Sequence, residues 1–217
     1  MKKFYLILSV IAILIAVLIF WQWGNIKAVF LSLVYSSEQI ETIVAEKEEK
    51  ANEVLKETTS TEFHPLTEEE AAKLQDGSLT KEEALDIIKG ETDQKNDTSD
   101  NGEIDSIISE IYLLRSSYVS ELAALENEAM RAAGAMPKKD RTASKKLSFV
   151  NYFVSKAVAL EDKCDSQMEN ILSRLKVVLK KQGKGTALIS EIRESYASQK
   201  MAKKTQLLNK YSKYIKN

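Results

Sequence analysis

From Phe4 to Trp23 the chain reads FYLILSVIAILIAVLIFWQW, twenty residues with no charged side chain. At about 1.5 Å rise per residue, such a helix is about 30 Å long, the thickness of a bilayer's hydrocarbon core. Phe4 and Tyr5 mark one end and Trp21 and Trp23 the other, where amphipathic rings settle at headgroup level. The run predicts a transmembrane anchor over residues 1–23. A cleaved signal peptide would need small residues shortly after the apolar core, and bulky Phe20, Trp21 and Trp23 fill that zone. The anchor is therefore expected to be retained. Lys2 and Lys3 precede it and only Lys27 follows closely, so the positive-inside bias places the N-terminus in the cytoplasm and residues 24–217 outside.

Beyond the anchor, seven glycines and two prolines in 217 residues favour long helices, and the expected fold class is all-α. The near-zero formal net charge hides an asymmetry. Residues 36–110 carry 22 acids and 7 bases, a net of −15, whereas residues 111–217 carry 10 acids and 21 bases, a net of +11. Such segregation implies an anionic partner for the second half or pairing between the halves.

The periodicity divides the remainder. Residues 24–60 read as a helical stalk, because Ile26, Phe30, Leu33, Ser37, Ile40, Val44, Lys47, Ala51 and Val54 alternate spacings of 4 and 3. Ile26, Phe30, Leu33, Ile40 and Val44 are the candidate self-association residues; the competing expectation lays this seam against the chain's own downstream helices. Residues 61–90 hold a tandem pair, LTEEEAAKLQDG and LTKEEALDIIKG, each opening on a capping box (Thr67 with Glu70, Thr80 with Glu83) and closing on glycine. Two short helices with left-handed glycine caps are expected there. Residues 91–102 lack apolar side chains and read as a flexible acidic linker.

Three longer stripes follow in residues 103–217. One runs from Ile104 to Ala132, one from Val150 through Val154, Cys164 and Met168 to Val178, and one from Leu188 to Ile215. They predict an antiparallel three-helix bundle with Cys164 buried. In an up-down-up arrangement the first loop lies beside the end of the third helix. That gathers Lys138, Lys139, Arg141, Lys145 and Lys146 with Lys210, Lys213 and Lys216, and leaves Tyr214 to pack against a ligand. This cluster is the candidate anionic-partner site.

Catalytic and metal motifs fail on chemistry. DTSDNGEI, residues 97–104, copies the start of a calcium loop, but position 12 is Ile108 and cannot supply the closing carboxylate. GKGT, residues 183–186, follows a basic helix and not the buried strand a phosphate-binding loop needs. His64 is the only histidine, so no histidine-based triad or zinc site can be built, and beside Pro65 it reads as linker. No cofactor and no enzymatic activity are expected. The expected function is a membrane-anchored extracytoplasmic helical protein that binds a protein partner or an anionic envelope component, polymer or lipid. The alternative is a membrane scaffold that homo-oligomerises through its stalk.

Overall fold

A computed structural model describes residues 37–59, 61–90, 102–137, 139 and 142–215. The fold is all-α. The described residues form α1 (Ser37–Thr58), α2 (Glu68–Asp76), α3 (Lys81–Lys89), α4 (Gly102–Ala135), α5 (Ala143–Lys181) and α6 (Ala187–Ile215), with no strand among them. No described helix is long and apolar enough to cross a membrane. The Phe4–Trp23 run lies outside the described residues, as do stalk positions Ile26, Phe30 and Leu33 and the linker at 91–101.

The short helices form as their end signals require. Thr67 N–H donates to Glu70 Oε2 at 2.8 Å while Glu70 N–H donates to Thr67 Oγ1 at 3.3 Å, and Thr80 with Glu83 repeats the exchange at 2.8 and 3.2 Å. Each reciprocal pair satisfies two of the donors that a helix start leaves free. Both carboxyls are held below the usual range, Glu70 chiefly by the Thr67 hydroxyl and Glu83 chiefly by the Thr80 backbone. Gly77 closes α2 in the left-handed conformation (φ 83°, ψ 6°). Gly90 departs from the expected cap. Its φ is also positive at 68°, but ψ is 139°, because its N–H still closes on the Ile87 carbonyl while the chain swings out instead of curling back.

The backbone divides into two compact units, residues 56–186 and residues 1–55 with 187–217. In the first, α4 is the central helix, with α5 along one side and α2 and α3 against it. Its core is Ile104, Ile107, Ile108 and Ile111 of α4, Leu172, Leu175 and Leu179 of α5, and Ala84 and Ile88 of α3. Each large aliphatic side chain so buried contributes about 1.5–3 kcal/mol. Segment 59–67, which looks like a linker, is docked. Phe63 stacks on Tyr112 with centroids 5.7 Å apart, Thr61 Oγ1 donates to Asp105 Oδ2 at 2.6 Å, and His64 N–H donates to the Ile88 carbonyl at 2.8 Å. Lys184 Nζ donates to the Thr58 carbonyl at 2.7 Å and ties the unit's two chain ends together.

In the second unit α1 meets α6. Lys47 pairs with Glu194, and Gln199 Nε2 donates to Glu48. Ile40, Ala51 and Leu55 of α1 are buried, as are Leu188, Ile189, Ser195 and Thr205 of α6. Where the sequence pattern groups residues 103–217 as one bundle, the backbone divides after Thr186 and places α6 with α1. The periodicity of α6 is too irregular for sequence to choose its partner.

Candidate functional site

The α4–α5 hairpin is set by three ion pairs. Arg174 grips Glu110 through both guanidinium nitrogens at 2.7 and 2.8 Å, Lys163 lies 3.6 Å from Glu121, and Lys156 lies 2.8 Å from Glu128. Going from Glu110 to Glu121 to Glu128 takes steps of 11 and 7 residues, and α5 takes the same steps backwards from Arg174 to Lys163 to Lys156. Eighteen residues are about five full turns, so the ladder stays on one edge of an antiparallel pair. These pairs are half-exposed and screened by solvent, so they add little stability and their larger effect is to fix register.

That register places Ala132 opposite Tyr152 and Ala135 opposite Phe149. Methyl groups cannot cover aromatic rings, and helix α2 meets α4 at Ser120, whose hydroxyl donates to Gln75. The hairpin therefore projects fifteen residues past that contact, from Ser120 to Ala135, about 22 Å of helix. Its outer half is uncovered: Tyr152 is 54% exposed, Val154 52% and Met130 45%. Val154 thus leaves the core stripe on which its spacing placed it, because no third helix of this unit lies over it. Cys164, farther in, is buried at 2% exposure, as its stripe implies.

The exposed Tyr152 ring and the half-buried Phe149 and Phe153 rings are grouped beside a cation. Phe149 and Phe153 lie 4.8 Å apart, Tyr152 meets Phe153 edge-on at 5.1 Å, and Lys156 Nζ sits 4.9 Å from the Tyr152 centroid and 5.8 Å from that of Phe153. Lys156 is held above the usual lysine range, first by its hydrogen bond to Glu128 and then by Tyr152. Between residues 128 and 160 the sequence carries Arg131, Lys138, Lys139, Arg141, Lys145, Lys146 and Lys156 against Glu128 and Asp140, seven minus two, or +5, and Glu128 is the partner of Lys156. The first turn of α5 holds no acid, and two lysines stand where the helix dipole disfavours cations. Thr142 caps that end, its Oγ1 accepting from Lys145 N–H at 3.4 Å.

Of the sequence-derived cations, Lys139 and Lys145 are exposed at this tip. Lys138 and Arg141 lie outside the described residues, as does the side chain of Lys146. Lys210, Lys213 and Tyr214 are placed on α6 by backbone only, and Lys216 is not described. Lys139 and Lys145 belong to one compact unit, while Lys210, Lys213 and Tyr214 belong to the unit that holds α6. The stalk positions that are described, Ile40 and Val44, are buried and half-buried within their own unit.

A second feature is an open groove of about 780 Å³ between α3, α4 and α5, with Tyr118, Cys164 and Ile171 at its floor. Burial pushes the Tyr118 phenol well above its ordinary range, with Glu161, Cys164 and Asp165 adding to the shift. Glu110 and Glu121 on its edge are already paired with Arg174 and Lys163. Among the described residues no three His, Cys, Asp or Glu side chains converge to hold a metal ion.

Comparison with known proteins gives no lead: no family model matches the chain, and neither a curated protein nor a solved structure is similar to it. The exposed aromatic tip was not foreseen from sequence, although a signal existed: the alanine-rich run from Ala129 to Ala135 faces an aromatic-rich one, and that mismatch in size leaves rings bare.

Proposed function

We propose that this chain is a non-enzymatic, membrane-anchored protein whose helical part lies outside the cytoplasm and binds an anionic envelope component or a protein partner through the α4–α5 tip. The anchor is the Phe4–Trp23 run, continuing into the stalk helix. One observation carries the reading: the exposed Tyr152 ring lies in a stretch, residues 128–160, whose sequence holds seven cations and two acids, with lysines placed against the dipole of α5. Charges set against local helix stability, with no acidic neighbour on their own turn, are accounted for by a partner that supplies the missing anions.

Of the stalk positions behind the scaffold alternative, Ile40 is buried and Val44 half-buried within their own unit. Reversing Lys138, Lys139, Lys145 and Lys146 to Glu in the full chain tests the main reading. The helical signal should persist, and retention on a polyanion resin at low salt should vanish. Unchanged retention, or no retention by the wild-type chain, would overturn it. Protease added to intact cells should remove a C-terminal tag; a tag digested only after lysis would reverse the proposed topology.

A further inference from the structure

We infer that the tip of the α4–α5 hairpin docks on the surface of a bilayer containing anionic lipid, with its lysines over the headgroups and the Tyr152 ring at the boundary with the acyl chains. This rests on the anion-binding reading above and narrows it to one partner. Lys145, Phe149, Tyr152 and Lys156 are spaced 4, 3 and 4 residues apart, so they share one face of α5 over about 16 Å. Rings in the middle and lysines at both ends are the arrangement of an interfacial helix, in which the ammonium groups stay in water while apolar bodies enter the headgroup region. The surface is convex, the end of a projecting hairpin. A bilayer accepts such a shape without a complementary pocket.

Two other occupants fit worse. The acidic segment 91–101 of the same chain has eleven residues, which span about 40 Å at full extension. Ala135 lies 33 residues, about 50 Å of helix, from Gly102, to which that segment is joined. It cannot reach the tip. A second copy would bring two +5 tips together, and like charges would oppose that contact. An anionic bilayer meets both the charge and the rings, each basic residue near its surface strengthening binding about fivefold.

The test uses the full chain with Tyr152→Cys, labelled with an environment-sensitive fluorophore. Cys164 is 2% exposed, and a labelling ratio of one verifies that it stays unmodified. Because Tyr152 itself takes part, a Ser148→Cys variant that keeps the ring is labelled in parallel. Each is reconstituted into vesicles of neutral phosphatidylcholine, or of the same lipid with about 30 mol % phosphatidylglycerol. The inference expects a blue shift and quenching by headgroup-proximal spin-labelled lipid in the anionic vesicles only, both reversed by high salt. Equal quenching in the two lipids, or none in either, overturns it. Co-sedimentation of polyphosphate with the neutral proteoliposomes then separates the outcomes: binding there with no quenching leaves the anion-binding reading intact, and its absence removes both.

Discussion

The inner and outer halves of the α4–α5 hairpin carry the same heptad-like spacing and have opposite fates. Inward of about Tyr118, α2, α3 and the docked 59–67 segment cover α4, and Ile104, Ile108, Leu175 and Leu179 are fully buried. Outward, Tyr152 and Val154 remain more than half exposed. An apolar stripe therefore marks a face that can be buried, while covering elements decide whether it is. In the inner half the stripe stabilises the fold; in the outer half it is available to a partner.

Core substitutions should break the comparison most visibly if it is wrong. Leu175→Ala is expected to cost about 2–5 kcal/mol in chemical unfolding of the full chain, whereas Val154→Ala should stay within about 0.5 kcal/mol of wild type. Similar losses at both sites would mean that the outer half is covered after all. Next in size is Cys164→Ser, which sets a hydroxyl against Met168 in an apolar seam and should cost about 1–3 kcal/mol. Thiol reagents should label native Cys164 slowly; rapid labelling would contradict its burial.

How much of this was legible in the sequence differs by residue. The capping boxes at Thr67 and Thr80 and the ends of α5 follow from local chemistry, and the structure places them as spaced. Phe63 was hidden because segment 59–67 has no periodicity; its only signal was two apolar side chains, Phe63 and Leu66, in a polar stretch. The partner of α6 was hidden because pairing is a tertiary choice: Lys47 with Glu194 joins residues 147 apart. The tip cations were legible as charge, while the bare rings between them depended on the hairpin register, which places alanines opposite them.

Tyr118 offers a pH-dependent version of the same contrast. Its phenol is raised above the ordinary 10.0 by burial, so the folded state keeps its proton where the unfolded chain loses it. Its contribution is fully present below about pH 10 and declines as pH rises towards the folded value. Alkaline unfolding should begin above pH 10, and Tyr118→Phe should flatten that limb while Tyr152→Phe leaves it unchanged. An identical alkaline limb in wild type and Tyr118→Phe would show that the phenol titrates freely.

The smallest effects belong to the ladder. Arg174→Met should cost no more than about 1 kcal/mol and Lys163→Met less, since both pairs are half-exposed and screened by salt. A loss of several kcal/mol at Arg174 would mean that the ladder holds the hairpin together and does not merely set its register.

Amide hydrogen exchange along α5, in the full chain with and without polyphosphate, tests the central claim most directly. The account expects strong protection from Met168 to Leu179, fast exchange from Lys145 to Val158, and slowing on addition of the polyanion confined to that outer stretch. Uniform protection along α5, or slowing that appears only at the inner half, would contradict it.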